Sequence, residues 1–180
     1  PPITQPVRRW RVIMGDDRRI PRSWFAASSM ATTMAFLATR AEREIPLPEG
    51  SRRLGWFVLP SFQRPLVWTE AQKVRFIESC WNGLPIGVFV WNEAYGTRYD
   101  QWLLDGQQRI SAVLGYMADK FPVFGYRFSE LTEVDLRRWD MGVQFPCLKT
   151  HITDEDKLRD VYDRLAYGGT PHDPKAPTND

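Results

Sequence analysis

The stretch Trp102-Leu103-Leu104-Asp105-Gly106-Gln107-Gln108-Arg109 constrains this chain more than any other. Its first three residues read as a short buried strand. Directly after the polar residues, Ile110, Val113, Leu114 and Met117 fall at i, i+3, i+4 and i+7, the strongest helical period in the sequence. A strand must therefore become a helix around Asp105 to Gln107, and a fold that packs helices on a sheet accommodates that. Such a junction leaves the first backbone N–H groups of the helix without intrahelical partners. The positive end of the helix dipole adds to them, which makes an anion site. Gly106 and Gln107 offer backbone to a phosphate, with no Cβ at Gly106 to hold it off. Arg109, one turn in, has the planar fork that binds phosphate through two N–H bonds. Asp105 stands where a carboxylate holds magnesium or takes a proton. Asp105, Gln108 and Arg109 are the candidate catalytic residues, and Asp105 is the candidate metal ligand. The alternative is an ordinary polar turn with a surface arginine.

A second polar loop reads Pro60-Ser61-Phe62-Gln63-Arg64-Pro65, then Val67-Trp68. Two prolines stiffen it, and Gln63 and Arg64 project as donors; the bland reading is a structural loop with a solvated arginine. It follows an expected strand over 54–59. Thr69 with Gln72 forms a capping-box pattern, and Val74, Ile77 and Trp81 continue at helical spacing to a stop at Gly83. Further strands are expected over 86–91 and 143–148. A weaker helix is expected over 133–139, and a last one opens at Thr153 with Leu158, Val161 and Leu165 on its apolar face. Toward the front, Ser23 is placed to cap a helix running to about Glu44, with Phe25, Met30, Met34 and Leu37 on one side.

With 43% hydrophobic residues, 26% charged residues and eight tryptophans, a chain of 180 residues is long enough to bury a real core. Its net charge of +2 is unevenly spread: residues 1–53 hold ten Arg against five Asp and Glu. Arg8, Arg9, Trp10 and Arg11 interleave charge and aromatic surface, which suits phosphate contact with base stacking; a tryptophan anchoring the arm to its own core is the competing reading. Cys80 and Cys147 are the only cysteines, too few for a disulfide framework, so a reducing cytoplasm is expected. Cys147 and His151 with one further histidine do not make a zinc cage. No apolar run reaches membrane-spanning length, and no signal peptide is read.

The order of these motifs resembles the ParB/sulfiredoxin superfamily, in particular the DGQQR domain of GmrSD-type restriction proteins. The pieces are Pro60, Phe62, Gln63, Arg64, Val67 and Trp68, then Gly83 to Gly87 as a G-x-P-I-G turn, then Leu103 to Arg109. The resemblance implies an α+β fold, a small mixed sheet packed with helices, here with an N-terminal arm and helix over 1–53, the nucleotide-handling domain over 54–169 and a tail over 170–180. It also implies nucleotide chemistry: magnesium with ATP or GTP, held by Gln63, Arg64, Gly106, Gln107, Arg109 and, from a later motif, Arg164.

That later motif, an R-L-N-x-G-G-T-P in the resembled family, reads Arg164-Leu165-Ala166-Tyr167-Gly168-Gly169-Thr170-Pro171. Ala166 replaces an asparagine that the resemblance makes a metal contact. The leading expectation is a magnesium- and NTP-dependent phosphoryl-transfer enzyme, an NTPase or kinase, working on or near DNA. A kinase of a hydroxylated DNA base in a phage is one version. A DNA nuclease of the restriction type and a non-catalytic nucleotide- or DNA-sensing module are the alternatives. A domain of this kind acts alone, as a homodimer or with a separate subunit.

Overall fold

Three short strands, β3 (Phe57–Leu59), β4 (Phe89–Asn92) and β5 (Trp102–Asp105), are buried along nearly their whole length. They read as continuous apolar runs because the sheet is covered on both faces. A computed structural model describes residues 21, 23–39 and 47–167. Within them the sheet has six strands in the order β1-β6-β4-β5-β3-β2, the others being β1 (Ala27–Met30), β2 (Arg52–Leu54) and β6 (Cys147–Thr150). Pairing is mixed: β4 with β6 and β3 with β5 are parallel, the other neighbours antiparallel.

Side chains alternate along each strand. One set, including Phe57, Leu59, Phe89, Trp91, Leu103 and Cys147, packs with α1 (Met34–Thr39), α2 (Glu70–Trp81) and α3 (Gln107–Met117). The other set, Val58, Val90, Trp102 and Leu104, meets Leu158 and Val161 of α5 (Glu155–Tyr167). A short α4 (Glu133–Arg137) runs into a π-helical turn (Arg138–Gly142) that buries Trp139 in the larger core. The architecture is α+β, as expected. Among the described residues no helix is long and apolar enough to cross a membrane.

The Thr69 capping box forms as read: Thr69 Oγ1 accepts from Gln72 N, and Gln72 Oε1 accepts from Thr69 N. Other expectations change. The helix expected from Ser23 to Glu44 is instead an extended segment followed by the short α1. β1 pairs with β6 through Ser28 and Lys149, and Ser23 Oγ donates to Phe25 O rather than capping a helix. Pairing satisfies a row of backbone groups on β6 that a helix there would leave open, and it outweighs local propensity. Residues 40–44 lie outside the described residues. The strand expected over 54–59 is a hairpin of β2 and β3, turned at Gly55 with φ +56°. The front segment therefore contributes strands to the same sheet as the motif-bearing part.

Candidate functional site: a cleft between two motif loops

Parallel pairing of β3 with β5, through Val58 and Trp102, brings their carboxyl ends side by side. The Pro60–Arg64 loop leaves one and the Asp105–Arg109 junction leaves the other. Crevices at the carboxyl ends of parallel strands are common ligand sites. Here the two loops and α5 enclose a cleft of about 120 Å³, lined among others by Gln63, Arg64, Asp105, Gln107, Arg109 and Ala166. Motifs remote in sequence thus share one wall-to-wall space.

Glutamine amides bind the loops together. Gln108 Oε1 accepts from the backbone N–H of Val67 (3.0 Å) and Trp68 (3.2 Å), and its Nε2 donates to Pro65 O at 3.0 Å. Gln107 Nε2 donates to Arg64 O at 3.0 Å, and Gln63 Nε2 donates to Leu103 O. Because each of these last two nitrogens faces a carbonyl, neither amide can be turned round without setting oxygen against oxygen. Their Oε1 atoms are buried without a hydrogen-bond partner among the described residues, in side chains only 6% exposed. Two unpaired acceptors in one cleft call for a donor or a cation from outside.

Arg109 is not the free phosphate fork expected of it. Its Nη1 donates to Ile86 O, and its Nη2 to Val88 O and, at 2.7 Å, to Asp105 Oδ2. The guanidinium also lies over the Phe145 ring, 5.7 Å from its centroid. It anchors the segment entering β4. The same contact answers the Asp105 charge, so that carboxylate does not depend on a metal for its counter-charge. Gln108 likewise spends its amide on the loop.

Gly106 caps α3 with φ +99° and no side-chain hydrogen bond. A Cβ there would stand 2.7 Å from Phe89 Cβ, so the close approach that demands glycine is to β4. Asp105 does not cap the helix, which leaves the N-terminal dipole of α3 open to the cleft.

Arg64 is the cation left over: its side chain is exposed and makes no hydrogen bond or ion pair among the described residues, while its backbone N–H donates to Tyr162 Oη at 3.1 Å. Arg164 is not brought to the cleft. Tyr162 and Ala166 line it, and a residue midway between them lies on the opposite side of a helix; Arg164 pairs there with Asp160 at 2.9 Å. Arg8, Arg9, Trp10 and Arg11, and the motif residues Gly168 to Pro171, lie outside the described residues. Tyr162 was missed by the sequence reading, although its place four residues after Leu158 and four before Ala166 marks it on the inward face.

A family model described as GmrSD restriction endonuclease, N-terminal domain, matches residues 48–167. No curated protein and no solved structure matches the chain.

Proposed function

The chain belongs to the family of GmrSD restriction endonuclease N-terminal domains, and on that premise we propose that it is a restriction-type enzyme domain acting on DNA, with one phosphodiester seated in the motif cleft. The observation that carries this is the size and polarity of the cleft. At about 120 Å³ it is smaller than the roughly 300–1,000 Å³ of pockets that enclose whole small molecules. It suits a single phosphate of a ligand whose remainder lies outside, as a DNA backbone does.

Arg64 supplies the positive charge and the open α3 N-terminus supplies backbone donors to the phosphate. Asp105, fixed in place by Arg109, is the acceptor for the proton of an attacking water. Magnesium takes oxygen ligands: the Oε1 atoms of Gln63 and Gln107, without a hydrogen-bond partner among the described residues, would hold it, and Asp105 would join them where it serves as a ligand rather than as the base. Bound there, the ion would draw charge from a phosphoryl oxygen. Among the described residues no three His, Cys, Asp or Glu side chains converge to form an alternative cage.

Transfer or hydrolysis of an NTP phosphoryl group is a second reading. It is favoured by the uncapped helix N-terminus at the ends of parallel strands, an arrangement that also takes nucleotide phosphates. One experiment separates the readings. The protein is incubated with magnesium and end-labelled DNA, modified and unmodified, with and without ATP or GTP. Cut DNA without NTP is the expected result, reduced at least about a hundredfold by Asp105→Asn, the low end for a positioned acid–base group. Released phosphate or phosphorylated DNA with intact strands establishes the second reading. Binding with no product at all makes the domain a sensor.

A further inference from the structure

The turn Gly83-Leu84-Pro85-Ile86-Gly87 forms one wall of a second, larger cavity, and the π-helical turn with the lead into β6 forms the other. Its volume is about 510 Å³, within the usual range for small-molecule sites. Nothing in the proposed chemistry of the cleft uses it. Its walls combine apolar side chains with the polar heads of Arg138 and Gln144. π-helical turns recur at functional sites. The Cys80 thiol in the wall is pushed up to about 12 by burial, so it stays protonated.

The cavity and the cleft meet at the contact between Gly87 and Arg109. Gly87 lines the cavity and Arg109 lines the cleft. A Cβ on Gly87 would stand 2.9 Å from Arg109 Nη1, and Arg109 holds the carbonyls of Ile86 and Val88 on either side of that glycine. The cavity wall and the cleft wall are thus coupled through Arg109, which places the two sites side by side on the same turn.

The cavity also has the means to hold a flat ring. Arg138 lies over Trp81, 5.6 Å from the ring centroid, and donates to Trp81 O at 2.8 Å. This fixes the plane of its guanidinium, and bases stack on such planes. The Gln144 side chain makes no hydrogen bond among the described residues. Its amide offers a donor and an acceptor together, the pattern of a base edge.

We propose that this cavity receives a nucleobase of the strand whose phosphate occupies the cleft. The proposal rests on the DNA reading of the cleft, and its test keeps the two apart. Binding is measured by fluorescence anisotropy for a short single-stranded DNA oligomer, for an abasic oligomer of the same backbone, and for ATP and GTP. Two variants are compared with the wild type: Val88→Trp, which fills the cavity, and Gln144→Ala, which removes an exposed side chain. Wild type is expected to prefer the oligomer with bases by about tenfold or more, the scale of one stacked base. Both variants should lose that preference while binding the abasic strand as before. If they lose ATP or GTP binding but keep the base preference on DNA, the proposal is overturned and the cavity is assigned to a free nucleotide instead. Variants that retain every wild-type preference overturn the cavity assignment and leave the cleft reading standing. A wild type that binds neither oligomer nor nucleotide overturns both.

Discussion

Arg109 Nη2 stands 2.7 Å from Asp105 Oδ2, one helical turn away, while the same guanidinium holds the carbonyls of Ile86 and Val88. The side chain that looks most like a ligand fork is thus a structural clamp between the α3 junction and the approach to β4. Arg109→Ala leaves two carbonyls and a carboxylate without their donor. The expected loss is at least about 2 kcal/mol of stability, since hydrogen bonds to charged groups each contribute about 1.5–3 kcal/mol. Urea denaturation measures it. Arg109→Lys should recover little, because an ammonium lacks the fork. A wild-type midpoint for Arg109→Ala would return the residue to a ligand role.

Gln108 gives a parallel expectation. Three hydrogen bonds tie its amide to residues 65, 67 and 68. Gln108→Ala should cost about 2 kcal/mol, at about 1 kcal/mol net per neutral bond with allowance for solvent reaching the loop. Hydrogen exchange at Val67 and Trp68 should speed up before any global change. Unaltered protection of those two amides would contradict the assignment.

Arg64 should behave in the opposite way. Its side chain is exposed and without a partner among the described residues, so Arg64→Ala should alter stability by no more than about 0.5 kcal/mol. Binding to DNA should weaken by about 1.5–3 kcal/mol, and the log–log salt slope should fall by about 0.7–0.9 for one lost phosphate contact. Titration at several salt concentrations checks both quantities. An unchanged slope would remove Arg64 from the phosphate site.

Cys80 predicts a pH effect of known sign. Burial raises its thiol to about 12, whereas an unfolded thiol titrates near about 8.5. Above that value the unfolded chain releases a proton that the folded chain keeps, so this contribution is whole below about pH 8.5 and is lost as pH rises toward 12. Stability of the wild type should therefore fall more steeply over that window than that of Cys80→Ala. Parallel pH curves for the two proteins would show that the thiol is not shielded as the fold implies.

Local chemistry alone determined the Thr69 capping box, the start of α3 beside Gly106, the inward face of α5 at Leu158 and Val161, and the two polar loops as the places to look. Each depends on residues within one or two turns of each other, and those interactions are written in spacing. Tertiary structure decided everything that depends on a remote partner. β1 formed where the period suggested a helix, because β6 offered it backbone groups to pair with. Gln63 and Gln107 kept oxygens without partners among the described residues because their nitrogens met the carbonyls of Leu103 and Arg64. Arg109 became a clamp, and Arg64 kept a side chain without a partner among the described residues, because the parallel pairing of β3 and β5 set which carbonyls lay within reach. A motif specifies which donors and acceptors a loop carries. Which of them are already spent depends on groups far away in the chain, and only packing brings those groups within the few ångströms over which a hydrogen bond acts.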